Sequence, residues 1–468
     1  MPFFLALLAV AAMEAGLCAQ SADPQPAPFS ASVLAHPATD ASLKLSLDDA
    51  IALGLKDNFG LTLAEDKEKF LHGQKNQVIQ QFLPTITLNG DLGVHQQNLE
   101  AMGFGPDFVR KLGNKIPPGI SFITRDDLTD GRIQFDQILF SGPLISAFKA
   151  VHAAEDAAHF ARTSIREQVV QRVASSYLRA VAAASEVDNA RALEAADRLL
   201  YSQAHDAHEA GIVANLDELR AQVQLQAQQQ ALLAAQNSLE KSLIQLKRNI
   251  AIELGQPITL TDPTPFSDLA AQSPEEVCAL AYRNRQDYRQ LQSQAVELKA
   301  VRSAYRSQRL PSLSFGGNYS VSAVNDGGTH GSFVAQGTLS VPLFREARLR
   351  GDVDTAQAQL AAAEAQLADL RGEIEQQVRA ALLDVDANSQ LVEVARSNLG
   401  LATRTVADET ERVKAGVDDN LPLVTAQATL AAAQSNLVES LYQYNLSKLA
   451  LARASGILEQ QYRVYLGR

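Results

Sequence analysis

The stretch from Pro143 to Ala210 contains no glycine and no further proline, and it is crowded with Ala, Gln, Glu and Arg, all strong helix formers. It predicts one uninterrupted helix of about 100 Å at 1.5 Å rise per residue, several times the usual helix length. Such a rod needs a buried stripe along it. Val173, Tyr177, Ala180, Ala184 and Val187, at alternating four- and three-residue steps, draw one. The stripe is rich in small residues, so each turn buries little area and the partner must be long as well. Past Gly211 the segment Ile212 to Leu254 again lacks Gly and Pro, which predicts a return helix and a hairpin over 143–255. Asn215 and Glu218 carry the spacing of a capping box for its first turn.

The same order occurs twice. Ser46 caps an apolar-periodic run from Leu47 to Leu55, a second helical run follows to Phe82, and Leu83-Pro84 then opens a segment of alternating period. Strands are expected over 84–95 and 132–140, with Gln137 interrupting the apolar face of the second. A long loop from Gln96 to Gly131 separates them. After a proline-bearing connector at 256–272, Glu275 to Leu280 echoes Asp48 to Leu53, and Leu310-Pro311 echoes Leu83-Pro84. Strands are expected again over 311–323 and 332–343. A second hairpin is expected over 346–456, turning at Gly416 and carrying Leu430, Leu437, Tyr444 and Leu451 at heptad steps. The boundaries are thus a first repeat at 44–255, a second at 273–456 and a tail at 457–468. Pro84, Pro143, Pro311 and Pro342 mark the strand–helix junctions.

Residues 1–19 read as a secretory signal peptide, with an apolar run from Phe3 to Met13 and cleavage near Ala19. Residues 20–43 read as a Pro/Ala/Ser-rich linker. After cleavage only Cys278 remains, in an apolar helical setting that suits a small core residue. The formal net charge of −12 and the absence of Lys/Arg clusters exclude a nucleic-acid partner. No other run reaches the eighteen or so apolar residues of a membrane helix, so any membrane crossing must be made by strands. Four strands cannot close a barrel, and an open edge is excluded from lipid, so several chains must contribute.

Leu45-Ser46-Leu47-Asp48-Asp49-Ala50-Ile51-Ala52-Leu53 with Asn58, the two Leu-Pro strand openings, Leu139-Phe140 and Leu343-Phe344 at strand ends, and the Ala-Gly turns at Gly211 and Gly416 resemble the TolC-like outer membrane efflux proteins. The resemblance spans about Leu43 to Gly456. It implies a mainly α chain with a small β part: two long antiparallel helical hairpins and four membrane strands, repeated two-fold, with a twelve-stranded barrel closed by trimerisation. It also implies an outer-membrane exit duct for efflux or type I secretion, set in outer-membrane lipid. A periplasmic adaptor (membrane fusion) protein would dock at the tips around Gly211 and Gly416, and an inner-membrane pump of RND or ABC type would feed the duct. Pro422 and Thr425 stand where the family carries pore-facing acidic residues. Asp418 and Asp419, with Asp217 and Glu218 at the other tip, are therefore the candidate periplasmic gate.

No catalytic signature and no cofactor motif is present. His205 and His208 share a helical face with metal-ligand spacing, but polar helix ends often carry such residues, and no metal is assigned. His152 and His159, one heptad apart, read as surface. The competing function is a soluble periplasmic coiled-coil scaffold without a pore. The distinguishing feature is whether the apolar strand residues Ile86, Leu88, Leu313, Phe315, Leu339 and Val341 form a charge-free outward face.

Overall fold

A computed structural model describes residues 41–467 apart from 102, 112, 114–120, 212–213, 263–266, 271, 325–326 and 416–419. The signal peptide, most of the linker, Gly416, Asp418 and Asp419 lie outside the described residues. The elements in chain order are β1 (Leu43–Leu45), α1 (Leu47–Lys56), α2 (Phe59–Gln80), β2 (Thr85–Asn98), α3 (Pro106–Lys111), β3 (Ile123–Phe140), α4 (Gly142–Glu209) and α5 (Asn215–Asn249). They continue with β4 (Ile258–Leu260), α6 (Pro274–Asn284), α7 (Gln286–Ser307), β5 (Ser312–Val324), β6 (His330–Ser340), α8 (Glu346–Lys414), α9 (Asn420–Ala454) and α10 (Leu458–Tyr465). The chain is mainly helical with a small sheet part. The 68-residue α4 confirms that the Gly- and Pro-free stretch is one helix.

The described residues divide into two compact units, each drawing on both halves of the sequence. The first holds residues up to Ala64, Ser164–Asn284 and the chain from Glu375 onward. Its core gathers the stripe of α4, where Val170, Val173, Ala174, Tyr177 and Ala180 are all buried, with Tyr444 and Leu451 of α9. Tyr177 shows why this region is well determined. Its hydroxyl lies 3.0 Å from the Leu45 carbonyl and 3.0 Å from an Asp262 carboxylate oxygen, and that same oxygen accepts the Leu47 N–H at 2.6 Å. One buried phenol thus ties α4 to the short parallel pair β1–β4. The linker end and the connector, expected without structure, pair with each other here. Ser46 caps α1 reciprocally with Asp49, as its spacing predicts.

The tail also differs from expectation: 458–465 is a helix held against this unit. Arg166 makes a charge-assisted pair with Glu459, and the Tyr462 hydroxyl donates to Asp48 at 2.7 Å. The return helix α5 ends at Asn249, five residues before the end of its Gly- and Pro-free run. The reason is tertiary. Ile250, Ala251 and Ile252 are buried, Ala251 takes φ +61°, and the Ile252 N–H returns to the Lys247 carbonyl, a Schellman ending built on alanine.

The second unit spans Glu65–Thr163 and Arg285–Ile374 and contains a four-stranded antiparallel sheet of order β2-β3-β5-β6. β3 starts at Ile123, well before the expected Arg132. The loop before it therefore shrinks to 99–122, because the polar alternation of Thr124 to Asp130 pairs residue for residue with β2. β6 stops at Ser340, ahead of Pro342, which lacks the N–H a ladder needs. Pro143 sits in the first turn of α4, where its missing N–H costs nothing.

Candidate functional site

The register sorts the sheet into two chemically distinct faces. Paired residues of antiparallel strands share a face. One face therefore carries Ile86, Leu88 and Leu92 of β2, Ile133 and Phe135 of β3, Leu313, Phe315, Tyr319 and Val321 of β5, and Phe333 and Leu339 of β6. No charge interrupts it until Arg125 and Asp127 at one end of β3. Leu88 is 78 % exposed and Phe333 76 %, so no other described residue covers these positions of the face. Phe135 and Phe315 meet edge to face at 5.9 Å across it.

Gln137 pairs with Phe315 and so interrupts this face with a polar but uncharged side chain, as its alternation predicts. The register shifts between Ile138 and Phe140, so Leu139 is a bulged extra residue and Phe140, instead of Leu139, pairs with Leu313. The expected grouping of Leu139 with Ile133 and Phe135 is corrected by that bulge. Gln137 sits at the strand end, where its side-chain amide donates to the Phe82 carbonyl at 2.9 Å. Just past the sheet, Leu343 and Phe344 stand almost wholly in the open.

The opposite face is polar in rows across the strands. Asp91, Asp130, Ser322 and His330 form one row, and Asn89, Arg132, Ser320 and Ser332 the next. Arg132 reaches Asp130 at 3.0 Å, and the Ser320 and Ser332 hydroxyls are 2.8 Å apart. The two faces match what a transmembrane barrel strand must show, apolar toward lipid and polar toward a water-filled interior. The sheet also has two open edges, β2 and β6.

At the described hairpin tip, Gly211 takes φ +73° and its N–H returns to the His208 carbonyl, ending α4 in a conformation that a Cβ disfavours. The expected capping box is not formed. Ala214, which has no side-chain acceptor, is the N-cap of α5, so Asn215 is already the first helical residue and cannot cap, and the Glu218 carboxylate meets His205 Nδ1 across the turn at 2.8 Å. His208 Nε2 lies 3.8 Å from the other Glu218 oxygen, and His205 Nε2 lies 3.6 Å from Glu209. The hydrogen bond to Glu218 is the main cause that raises the His205 pKa; desolvation opposes it, and the charges of Glu218, Glu209 and Asp206 add to the rise. Asp217 instead pairs with Arg220 at 3.3 Å. The structure thus separates the two expected gate carboxylates of this tip and gives each a partner in its own chain. The His205–Glu218 contact was missed, although both residues lie at nearly equal distance from Gly211 and on antiparallel helices must face each other.

Comparison with known proteins bears on the same features. Residues 72–251 and 280–457 match the sequence profile of the outer membrane efflux proteins. The chain belongs to that family and is an outer-membrane efflux channel protein with a periplasmic part. Nodulation protein T of Rhizobium leguminosarum bv. trifolii is 22% identical over 327 residues, covering 67% of this chain and 68% of that protein. Among solved structures, a membrane protein of Pseudomonas aeruginosa superposes with TM-score 0.73 at 17% identity, over 94% of this chain and 99% of its own. The Campylobacter jejuni CmeC outer membrane channel gives TM-score 0.70 at 16% identity, over 94% of each chain. Members of the family are trimeric channels that work with adaptor and pump proteins.

Proposed function

We propose that three copies of this chain close a twelve-stranded barrel in the outer membrane, their helical hairpins lining the periplasmic passage, and that the assembly is the exit duct of an efflux or type I secretion system. The observation that carries this is the sheet itself: one exposed apolar face that meets its first charges only at Arg125 and Asp127 near one end of β3, one polar face, and two edges unpaired among the described residues. In water such a face and such edges would drive aggregation, whereas in lipid the face is solvated by acyl chains. The edges must then pair with neighbouring copies, because an open edge in the hydrocarbon region leaves N–H and C=O groups unsatisfied. The like order of elements before and after the β4 connector supports a two-fold internal repeat, and the family supports an adaptor at the hairpin tips and an RND or ABC pump.

Because Asp217 and Glu218 are held by partners within the chain, the gate of this reading rests on Asp418 and Asp419, gathered three-fold around the axis to favour cations. The assembly is tested by fractionation and mass determination in detergent. The expected species is an outer-membrane, heat-modifiable trimer, and a soluble monomer released by osmotic shock would refute the proposal. The gate is tested by planar-bilayer conductance. Asp418→Asn with Asp419→Asn should weaken cation preference and block by multivalent cations, and unchanged selectivity would place the gate elsewhere.

A further inference from the structure

A cavity of about 430 Å³ opens within the first unit between α4, α5 and Tyr442 of α9. Its wall on α4 is Arg172, Ser175, Ser176 and Arg179, and its wall on α5 is Ser238, Lys241, Ser242 and Gln245. Both sets follow the same i, i+3, i+4, i+7 spacing, which on packed antiparallel helices is normally the apolar seam. Here the positions that line the cavity on both helices carry cations and hydroxyls, beside the apolar stripe of α4. The lining holds three cationic groups and no carboxylate, in a chain whose formal net charge is −12.

The groups are placed to receive an anion. Arg172 is half-buried, and its desolvation lowers the guanidinium pKa, so the wall carries a cation partly stripped of water. Arg179 lies over the Tyr442 ring at 5.3 Å and reaches Glu439 at 3.4 Å, outside the lining. Lys241 forms no ion pair among the described residues and is exposed at the mouth. The Ser176 and Ser242 hydroxyls donate to the carbonyls of Val173 and Ser238, which leaves those of Ser175 and Ser238 to a ligand. Guanidinium, ammonium and hydroxyl donors converging on one space match the several acceptor oxygens of a phosphoryl group. The volume exceeds that of a bare phosphate and accommodates a short polar substituent.

We propose that this cavity binds a small phosphoryl anion, with Arg172 and Lys241 as its charge partners and Ser175 and Ser238 as hydroxyl donors. The site uses residues of one unit only and does not depend on the gate or on the barrel. Calorimetric titration of the full-length protein in detergent at low ionic strength tests it, with inorganic phosphate and glycerol 3-phosphate as probes against matched chloride. Saturable binding of one probe molecule per chain is expected. Tighter binding of glycerol 3-phosphate would identify an organophosphate ligand, and equal binding would identify free phosphate. Lys241→Gln should weaken binding at least about tenfold, the loss of one charge-assisted contact, and Lys241→Glu should abolish it. Because Lys241 is exposed, both variants should retain the wild-type circular dichroism and oligomeric mass. Absence of saturable binding by either probe, or binding undiminished in Lys241→Glu, would overturn the proposal.

Discussion

Phe333 and Tyr177 are both large aromatic side chains, yet 76 % of the first is exposed and 1 % of the second. Around Tyr177 the chain completes its own interior: the ring is packed, the hydroxyl is bonded, and the neighbouring valines and alanines have no water contact. Around Phe333 the chain completes its hydrogen-bond ladder on one side only and leaves a whole apolar face open. The same physical chemistry governs both regions. What differs is the medium each is built to meet, water and protein in one, hydrocarbon in the other.

The comparison can be broken at either end. Tyr177→Ala should cost about 3 to 5 kcal/mol, because it empties a filled site and removes the hydroxyl that joins the Leu45 carbonyl and Asp262. Denaturant unfolding with hydrogen exchange on the first unit would measure it. At the sheet, Phe333→Lys should cost about 2 to 4 kcal/mol in a bilayer, while Val334→Lys, one residue on and facing the other side, should be nearly neutral. Equal penalties at both positions, read from unfolding in lipid vesicles, would remove the distinction between the faces.

The two ends of the first hairpin's helices sharpen it further. Gly211→Val should cost about 1 to 2 kcal/mol because φ +73° excludes a β-branched side chain, an effect that thermal unfolding would report. Ala251→Gly should act in the opposite direction and stabilise by about 1 kcal/mol, since alanine is held at φ +61° by the burial of its neighbours. The smallest effect is one of pH. A raised His205 pKa means that the His205–Glu218 contact contributes fully below the unfolded value of 6.5 and is lost as pH rises through the folded one. Hydrogen exchange in the turn at 206–211, corrected for its intrinsic rate, should therefore quicken on the alkaline side, and His205→Gln should abolish that dependence.

Local composition was enough to specify the long helices, the left-handed Gly211, the Ser46 cap and the alternating strands. Each depends on residues within a few positions of one another: absence of Gly and Pro, a backbone conformation only glycine adopts freely, a hydroxyl three residues from a carboxylate. The candidate membrane face was legible for the same reason, since a period of two assigns faces without knowledge of the partner strand. The tertiary structure decided what depends on partners far along the chain. β1 and β4 are three-residue strands that exist only because their pairing partners lie about 215 residues away, locked by Tyr177 and Asp262. The bulge at Leu139 arises from register against β5, and the short end of α5 from the burial of Ile250 to Ile252. Asn215 and Glu218 have the spacing of a capping box, but the helix starts one residue earlier, at an Ala214 N-cap, and Glu218 meets His205 of the antiparallel helix. The polar stripes of α4 and α5 are, taken singly, ordinary helix surface. Only their juxtaposition turns two runs of serine and cation into a single basic cavity.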